Sequence, residues 1–130
     1  MEKIRKNYEH IYPAGPTYIR GIRSGDTLYI SGTTANDSIV EDNTMSQLRV
    51  ILDRIIKIVE SEGGTSSDIV SMTTYIKDSK MDEFWPIRGE QIEIWNEYFS
   101  GEWPTNSYVG VSSLAMPNLL VEISTIVVFD

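Results

Sequence analysis

Apolar and polar residues alternate near both ends of the chain, which is the pattern of β-strands. Near the N-terminus the pattern predicts strands over Tyr18–Arg23 and Thr27–Ser31. The segment Ser24-Gly25-Asp26 between them contains a Gly-Asp pair that suits a tight hairpin turn. Near the other end, two further strands are predicted over Ser107–Ser112 and Leu119–Phe129.

The middle of the chain changes to a helical spacing. After a polar loop from Thr33 to Asn43, apolar residues three or four positions apart predict an amphipathic helix that ends at Gly63-Gly64. Thr44-x-x-Gln47 at its start looks like a capping box. The apolar positions of this helix are Leu48, Ile51, Leu52, Ile55, Ile56 and Val59.

Beyond this helix, Thr65-x-x-Asp68 predicts a single helical turn that leads into a strand ending at Lys77. A second long helix is expected next, with Pro86 in its first turn and its end near Phe99. The predicted order is ββαβαββ, which is an α+β domain with two helices on one face of the sheet. One face of the second helix carries Phe84, Ile87, Gln91, Ile94, Trp95 and Tyr98.

The last predicted strand is largely apolar on both faces. Two helices cover one face of a small sheet, so the second apolar face needs another cover. The simplest cover is a further copy of the same chain. We therefore expect a homo-oligomer. If Val121 and Ile123 meet the helices, Glu122 projects from the opposite face towards the partner subunit.

The same alternation predicts where the neighbouring polar residues point. If Val109 and Val111 enter the core, then Asn106, Tyr108 and Gly110 lie on the outer face with Glu122. Ser31 lies there too if Leu28 and Ile30 are buried. The expected polar patch consists of Ser31, Asn106, Tyr108 and Glu122.

Composition narrows the chemistry. The chain has 130 residues, enough for one domain over 1–130, and a net charge of −8, which disfavours binding to nucleic acid. With no cysteine and a single histidine, we expect neither a metal site nor a cofactor. The N-terminus is too polar for a secretory signal, and no apolar run approaches the ~18 residues of a membrane span. A cytoplasmic location without a membrane partner is expected.

The C-terminal motifs resemble those of a known family. Residues 104–111 read Pro-Thr-Asn-Ser-Tyr-Val-Gly-Val, and residues 119–123 read Leu-Leu-Val-Glu-Ile. They resemble the signature of the RidA (YjgF/YER057c/UK114) family of enamine/imine deaminases, and further matches cover nearly the whole chain. Among these, Ser31-Gly32-Thr33-Thr34-Ala35 looks more like the 2-aminomuconate deaminase branch. The others are Gly15-Pro16, Tyr18, Gly21, Gln47, Asp68-Ile69-Val70, Thr73 and Tyr98-Phe99.

The resemblance implies a chorismate mutase-like fold, a mixed sheet and a homotrimer with active sites between subunits. It also implies hydrolytic deamination of a small enamine or imine. Glu122 falls at the family's water-orienting glutamate, whereas Asn106 replaces an arginine that grips the substrate carboxylate. Losing that charge-assisted contact should weaken carboxylate binding by about tenfold to a hundredfold, so altered specificity is expected.

Each candidate site residue has an alternative role. Glu122 is either catalytic or part of a structural ion pair across a subunit contact. Asn106 is either a substrate-binding amide or a loop residue that satisfies the backbone. Ser31, Tyr18 and Tyr108 either contact the ligand or serve in turns and packing.

A cation could still replace the missing arginine. The candidates are Arg20, Arg23 and Arg88, each of which is otherwise an ordinary solvated side chain. Arg20 is the preferred one, because it follows Tyr18 by two residues in a predicted strand.

Two rival functions also remain: a non-catalytic small-molecule binder or regulatory protein on the same trimeric scaffold, and a ribonuclease or translation inhibitor. The acidic balance makes the latter the weakest hypothesis.

Overall fold

One mixed sheet forms the centre of the fold. The computed structural model describes residues 1–38 and 43–130, and within these ranges the sheet has six strands. They are β1 (Lys3–Lys6), β2 (Gly21–Ser24), β3 (Thr27–Thr33), β4 (Ile69–Lys77), β5 (Thr105–Val111) and β6 (Val121–Val128). Their spatial order is β1-β2-β3-β6-β4-β5, and neighbours are antiparallel except for the parallel pair β4 and β5.

The helices lie on one face of this sheet. They are α1 (Thr44–Ser61), the short α2 (Met81–Phe84) and α3 (Glu90–Phe99). α1 packs on β3 and β6, and α3 packs on α1. The helix-facing side of the sheet holds the core, and the other side, here called the outer face, carries exposed apolar side chains. These include Tyr29, Val109, Ile126 and Val128.

The predicted hairpin is confirmed. Ser24 pairs with Thr27, so the turn consists of Gly25 and Asp26, and Gly25 adopts a φ of +60° that glycine tolerates best. The strands differ in length from the prediction, since β2 begins only at Gly21 and β3 continues to Thr33. The edge strand β1 was not predicted, because its exposed, mostly basic sequence lacks alternating apolar residues.

The capping box predicted for α1 is wrong. Asn43 is the N-cap, and its side chain accepts a hydrogen bond from the backbone N–H of Ser46 at 2.9 Å. Gln47 is fully buried and instead donates to the carbonyl of Asn118 at 2.8 Å while accepting from the N–H of Leu120 at 2.9 Å. Its amide therefore joins α1 to the segment that leads into β6.

The second long helix is broken into two. α2 ends at Phe84, and α3 begins only at Glu90, so Pro86 lies between the helices rather than in a first helical turn. Gly89 precedes α3 with a φ of +59°, which is outside the range of a right-handed helix, so α2 and α3 are not continuous. The predicted turn before β4 is confirmed as a 3₁₀ helix over Ser66–Asp68 with a capping box.

The alternation predicted for β6 is confirmed. Val121, Ile123 and Val127 are buried against the helices, whereas Glu122 is partly buried on the outer face. Among the described residues, no helix is long and apolar enough to cross a membrane. The polar loop predicted from Thr33 to Asn43 falls partly on residues 39–42, which lie outside the described residues.

Candidate functional site

Glu122 occupies a narrow space on the outer face. In β6 it pairs with Tyr75 of β4, and on its other side β3 bulges between Ile30 and Thr33. Its carboxylate lies over Gly32 within this bulge, so that a Cβ added to Gly32 would be 2.7 Å from Cδ of Glu122. A glycine in a strand interior often marks such a close approach.

The Glu122 carboxylate has no hydrogen bond or ion pair with any residue in the described part of the chain. Burial raises the pKa of this carboxyl group, and the nearby positive charge of Arg20 opposes that rise. The lone pairs of Glu122 are therefore available to water or to a ligand.

Arg20 lies just before β2 and is only 1% exposed. Its Nη1 donates a hydrogen bond, 3.0 Å long, to the carbonyl of Gly32, while its buried Nε finds no acceptor among residues 1–38 and 43–130. Its guanidinium lies 5.0 Å from the ring centre of Tyr12 and 5.2 Å from that of Tyr18. Such stacking helps to hold a buried cation.

Ser31 and Tyr18 border this region, but Ser31 is already engaged. The hydroxyl of Ser31 donates to the carbonyl of Ile19 at 2.6 Å, and its backbone N–H donates to the carbonyl of Arg20 at 2.9 Å. Tyr18 is half exposed, with its ring on Arg20. Four predicted site residues thus share one neighbourhood: Glu122, Arg20, Ser31 and Tyr18.

Asn106 and Tyr108 lie elsewhere, which corrects the predicted single patch. The side chain of Asn106 accepts a hydrogen bond from Thr74, which is buried on the helix side of the sheet. The Tyr108 hydroxyl donates to Gln91 of α3 at 3.2 Å. Val109 faces outward and is 37% exposed, so the assumption that Val109 enters the core was wrong.

These two residues line a cavity, here called the aromatic cavity, between β5 and α3. Its volume is about 850 Å³, within the range of small-molecule sites. Burial raises the pKa of Tyr108 to about 12, so its hydroxyl stays protonated at neutral pH. The cavity is lined by Met81, Trp85, Ile87, Ile92, Trp95, Asn96, Trp103, Pro104, Asn106 and Tyr108.

The other two candidate cations serve local structure. Arg88 is exposed and donates to the carbonyls of Pro86 and Asp82, so it braces the connection between α2 and α3. Arg23 donates to Glu62 and to the carbonyl of Gly25. Within residues 1–38 and 43–130, no group of three or more acidic, histidine or cysteine side chains could hold a metal ion.

Two residues of these regions were not singled out from the sequence as site residues. Gly32 could have been singled out from the sequence, because a glycine inside a strand often marks the close approach of another group. Gln91 was assigned only to a helix face, but its buried amide accepts from Trp95 and Tyr108 and donates to the carbonyl of Phe84. Nothing in a single sequence distinguishes such an amide from an ordinary helix residue.

Comparison with known proteins identifies relatives. Residues 9–129 match the family model described as Endoribonuclease L-PSP. Rv2704 of Mycobacterium tuberculosis, a member of the highly conserved YjgF/YER057c/UK114 family, is 26% identical, with 98% of this chain and 99% of that chain covered and a TM-score of 0.74. YyfA of Yersinia pestis, a protein of unknown function of the conserved Rid family, has the same identity and coverage and a TM-score of 0.81. TdcF of E. coli with bound serine shares the fold at 24% identity, the same coverage and a TM-score of 0.81.

Proposed function

The chain belongs to the endoribonuclease L-PSP family, which is the YjgF/YER057c/UK114 or Rid family, and on that premise we propose that it hydrolyses a small enamine or imine. Glu122 is the residue that orients and activates water. The protein acts as a cytoplasmic homotrimer, with its reaction site in a cleft between subunits. Its specificity differs from that of relatives with a carboxylate-binding arginine, because Asn106 is neutral.

One observation carries this proposal, namely the free carboxylate of Glu122 on the outer face. A carboxylate that is partly buried and makes no hydrogen bond to the described residues has lone pairs available for a water proton. Its raised pKa brings it closer to neutrality, where a general base is most effective. No cation contacts the carboxylate within the chain as described, so a structural ion pair would have to cross a subunit contact.

The chemistry needs no further reactant than water. An enamine first shifts a proton to carbon and becomes the imine tautomer. The water oxygen then bonds to the imine carbon while Glu122 accepts one water proton, and the imine nitrogen takes up a proton from solvent. In the carbinolamine so formed, Glu122 returns its proton to the nitrogen and the C–N bond breaks. The hydroxyl proton passes to solvent, and the products are a carbonyl compound and ammonia.

Arg20 acts through Glu122 rather than on the substrate. Because it is almost completely buried, its guanidinium is not free to grip a carboxylate, but its charge favours the ionised form of Glu122. Ser31, whose hydroxyl and N–H both contact the segment before β2, holds the β3 bulge in which Gly32 lies against Glu122. Tyr18 borders the ligand space.

The two groups of candidate residues lie on opposite sides of one sheet. A site that uses both Glu122 and Asn106 therefore needs two copies of the chain, one supplying the outer face and the other the edge near β5. The exposed apolar outer face supports such an assembly, since a second copy would remove it from water. Tyr108 and Asn106 then shape substrate recognition from the neighbouring subunit.

The test is ammonia release by purified protein from freshly generated 2-aminoacrylate and 2-aminomuconate. Glu122→Gln should abolish release above the background rate while keeping the native melting temperature. Asn106→Arg should improve use of these carboxylates by about tenfold or more, because it restores a charge-assisted contact. Asn106→Gln is the neutral control. An unchanged rate in correctly folded Glu122→Gln would refute the proposal.

A second function is favoured by the aromatic cavity. Its size suits a bound small molecule, so the chain would be a non-catalytic binder or regulator if saturable binding occurred without ammonia release. Ribonuclease activity has less support despite the family's description, since a net charge of −8 opposes approach of a polyanion.

A further inference from the structure

The residues that line the aromatic cavity differ in kind from those of a site for a small anion. Three tryptophans and Tyr108 contribute to its lining, and none of the lining residues that the structure describes is charged. Within one chain Trp85 and Trp103 are 60% and 55% exposed, so they contribute flat apolar surface on the side that faces the proposed cleft. Aromatic rings of this kind favour offset-stacked or edge-to-face contact with another ring.

Buried hydrogen bonds fix the floor of the cavity. The Gln91 side chain accepts from the Trp95 indole N–H at 2.9 Å and from the Tyr108 hydroxyl at 3.2 Å, and it donates to the carbonyl of Phe84 at 3.0 Å. The Tyr108 ring also packs against Phe84 and Trp85, with ring centres 6.3 and 5.9 Å apart. These hydrogen bonds and ring contacts hold Gln91, Trp95 and Tyr108 in place, which lowers the cost of ordering them when a ligand binds.

Asn106 supplies a directional polar contact. The Thr74 hydroxyl donates to Oδ1 of Asn106 at 3.0 Å, which orients the amide and leaves the two N–H groups of Nδ2 without an acceptor among the described residues. Since Asn106 lines the cavity, these donors are available to an occupant that carries an acceptor.

We propose that the aromatic cavity binds an uncharged, planar aromatic ligand that presents a carbonyl or similar acceptor to Asn106. An anionic group is disfavoured there, because the described lining residues include no cation and desolvating an unpaired charge is costly. The inference rests on the proposed function for the place of the site, since Asn106 and Tyr108 belong to the proposed reaction site. Its test measures binding rather than turnover, so the inference and the hydrolysis at Glu122 can fail separately.

The test is calorimetric titration of the full-length protein with two probes of equal shape. Naphthalene-2-carboxamide is neutral and carries a carbonyl, whereas 2-naphthoate carries a carboxylate on the same ring. We expect saturable binding of the carboxamide and at least tenfold weaker binding of the naphthoate. Equal affinities, tighter binding of the naphthoate, or no saturable binding of the carboxamide would overturn the proposal.

Variants locate the site. Ile92→Glu places a charge in the cavity wall and should lower carboxamide affinity at least tenfold, whereas Ile4→Glu adds the same charge on the distant strand β1 and should leave it unchanged. Asn106→Leu should weaken the carboxamide about 2- to 10-fold, as expected for one lost neutral hydrogen bond. Unaltered affinity in folded Ile92→Glu would contradict the proposal. A second contrary result has two parts: the carboxamide does not bind, and Ile92→Glu dissociates the oligomer. That result would mean that a second copy of the chain occupies the cavity.

Discussion

The carboxylate of Glu122 lies directly over the Cα of Gly32, and there is no room between them for a side chain. A Cβ on Gly32 would come within 2.7 Å of the Glu122 carboxyl carbon and 3.2 Å of its Cγ. Residue 32 does not need glycine for its backbone angles, since its φ is not positive. The glycine is required because the glutamate side chain passes across it.

Replacing this glycine should therefore displace the carboxylate without unfolding the protein. In Gly32→Ala the methyl group pushes away the far end of a flexible side chain, so we expect a melting temperature within a few degrees of native. Ammonia release should fall by about 100-fold, since a displacement of about 1 Å in a catalytic group can cost that much. Ser124→Ala on the same face of β6 is the control and should keep the native rate. A native rate in Gly32→Ala would show that the position of Glu122 does not matter.

The raised pKa of Glu122 predicts how stability depends on pH. The folded state binds the Glu122 proton more tightly than the unfolded state does, so binding of this proton stabilises the fold. This stabilisation is fully present below the unfolded pKa of Glu122 and is lost as the pH rises through its folded pKa. Above that range the ionised carboxylate costs stability, so Glu122→Gln should be as stable as the native protein or more stable at pH 7. Below the unfolded pKa this difference should shrink.

Melting temperatures of both proteins across this pH range provide the measurement. The exposed Glu60→Gln is the matched control and should track the native curve. A Glu122→Gln variant whose deficit in stability grows as pH rises would mean that the carboxylate is stabilised by a partner.

Gln47 is predicted to hold α1 to the beginning of β6. Gln47→Leu removes two hydrogen bonds and leaves the buried N–H of Leu120 unpaired, which should lower the free energy of unfolding by about 2–4 kcal/mol. Asn43→Ala removes a single N-cap bond and should cost about 1 kcal/mol. Urea denaturation measures both, and a smaller loss in Gln47→Leu than in Asn43→Ala would contradict this assignment.

The sequence predicted elements best where alternation coincides with burial. In β6, which has neighbours on both sides, the buried residues Val121 and Ile123 identify the core face, and Glu122 follows on the other. β5 is an edge strand, so the apolar Val109 is exposed and gives no such indication. The break before α3 was missed because an apolar spacing of three and four continues across Pro86 and Gly89.

The candidate site could be predicted only in part. Glu122 was found from its apolar surroundings and from the family resemblance. The burial of Arg20 depends on the rings of Tyr12 and Tyr18, which contact it only in three dimensions. Likewise the aromatic cavity joins Trp85 and Trp103 from separate segments, and no local pattern shows that they meet.

A site shared between subunits predicts complementation between inactive variants. Glu122→Gln removes the carboxylate from one face, and Ile92→Glu blocks the aromatic cavity at the other. Co-expression of the two variants should restore activity, since about a quarter of the clefts in a random trimer combine two native halves. The control is a mixture of the two separately purified variants that is never unfolded, so that each oligomer contains one variant only. Absence of recovery in mixed oligomers confirmed by mass spectrometry would place the whole site within one chain.

The most direct test of the central claim compares ammonia release by native protein and Glu122→Gln from two sources of an imine. One is freshly generated 2-aminoacrylate, an enamine whose imine tautomer carries a carboxylate, and the other is benzophenone imine, which is neutral and aromatic. We predict that the native protein accelerates release from at least one of them, with benzophenone imine preferred, and that Glu122→Gln with a native melting temperature accelerates neither. Equal acceleration by the two proteins, or none by the native protein with either imine, would contradict the assignment of Glu122 as the water-activating carboxylate.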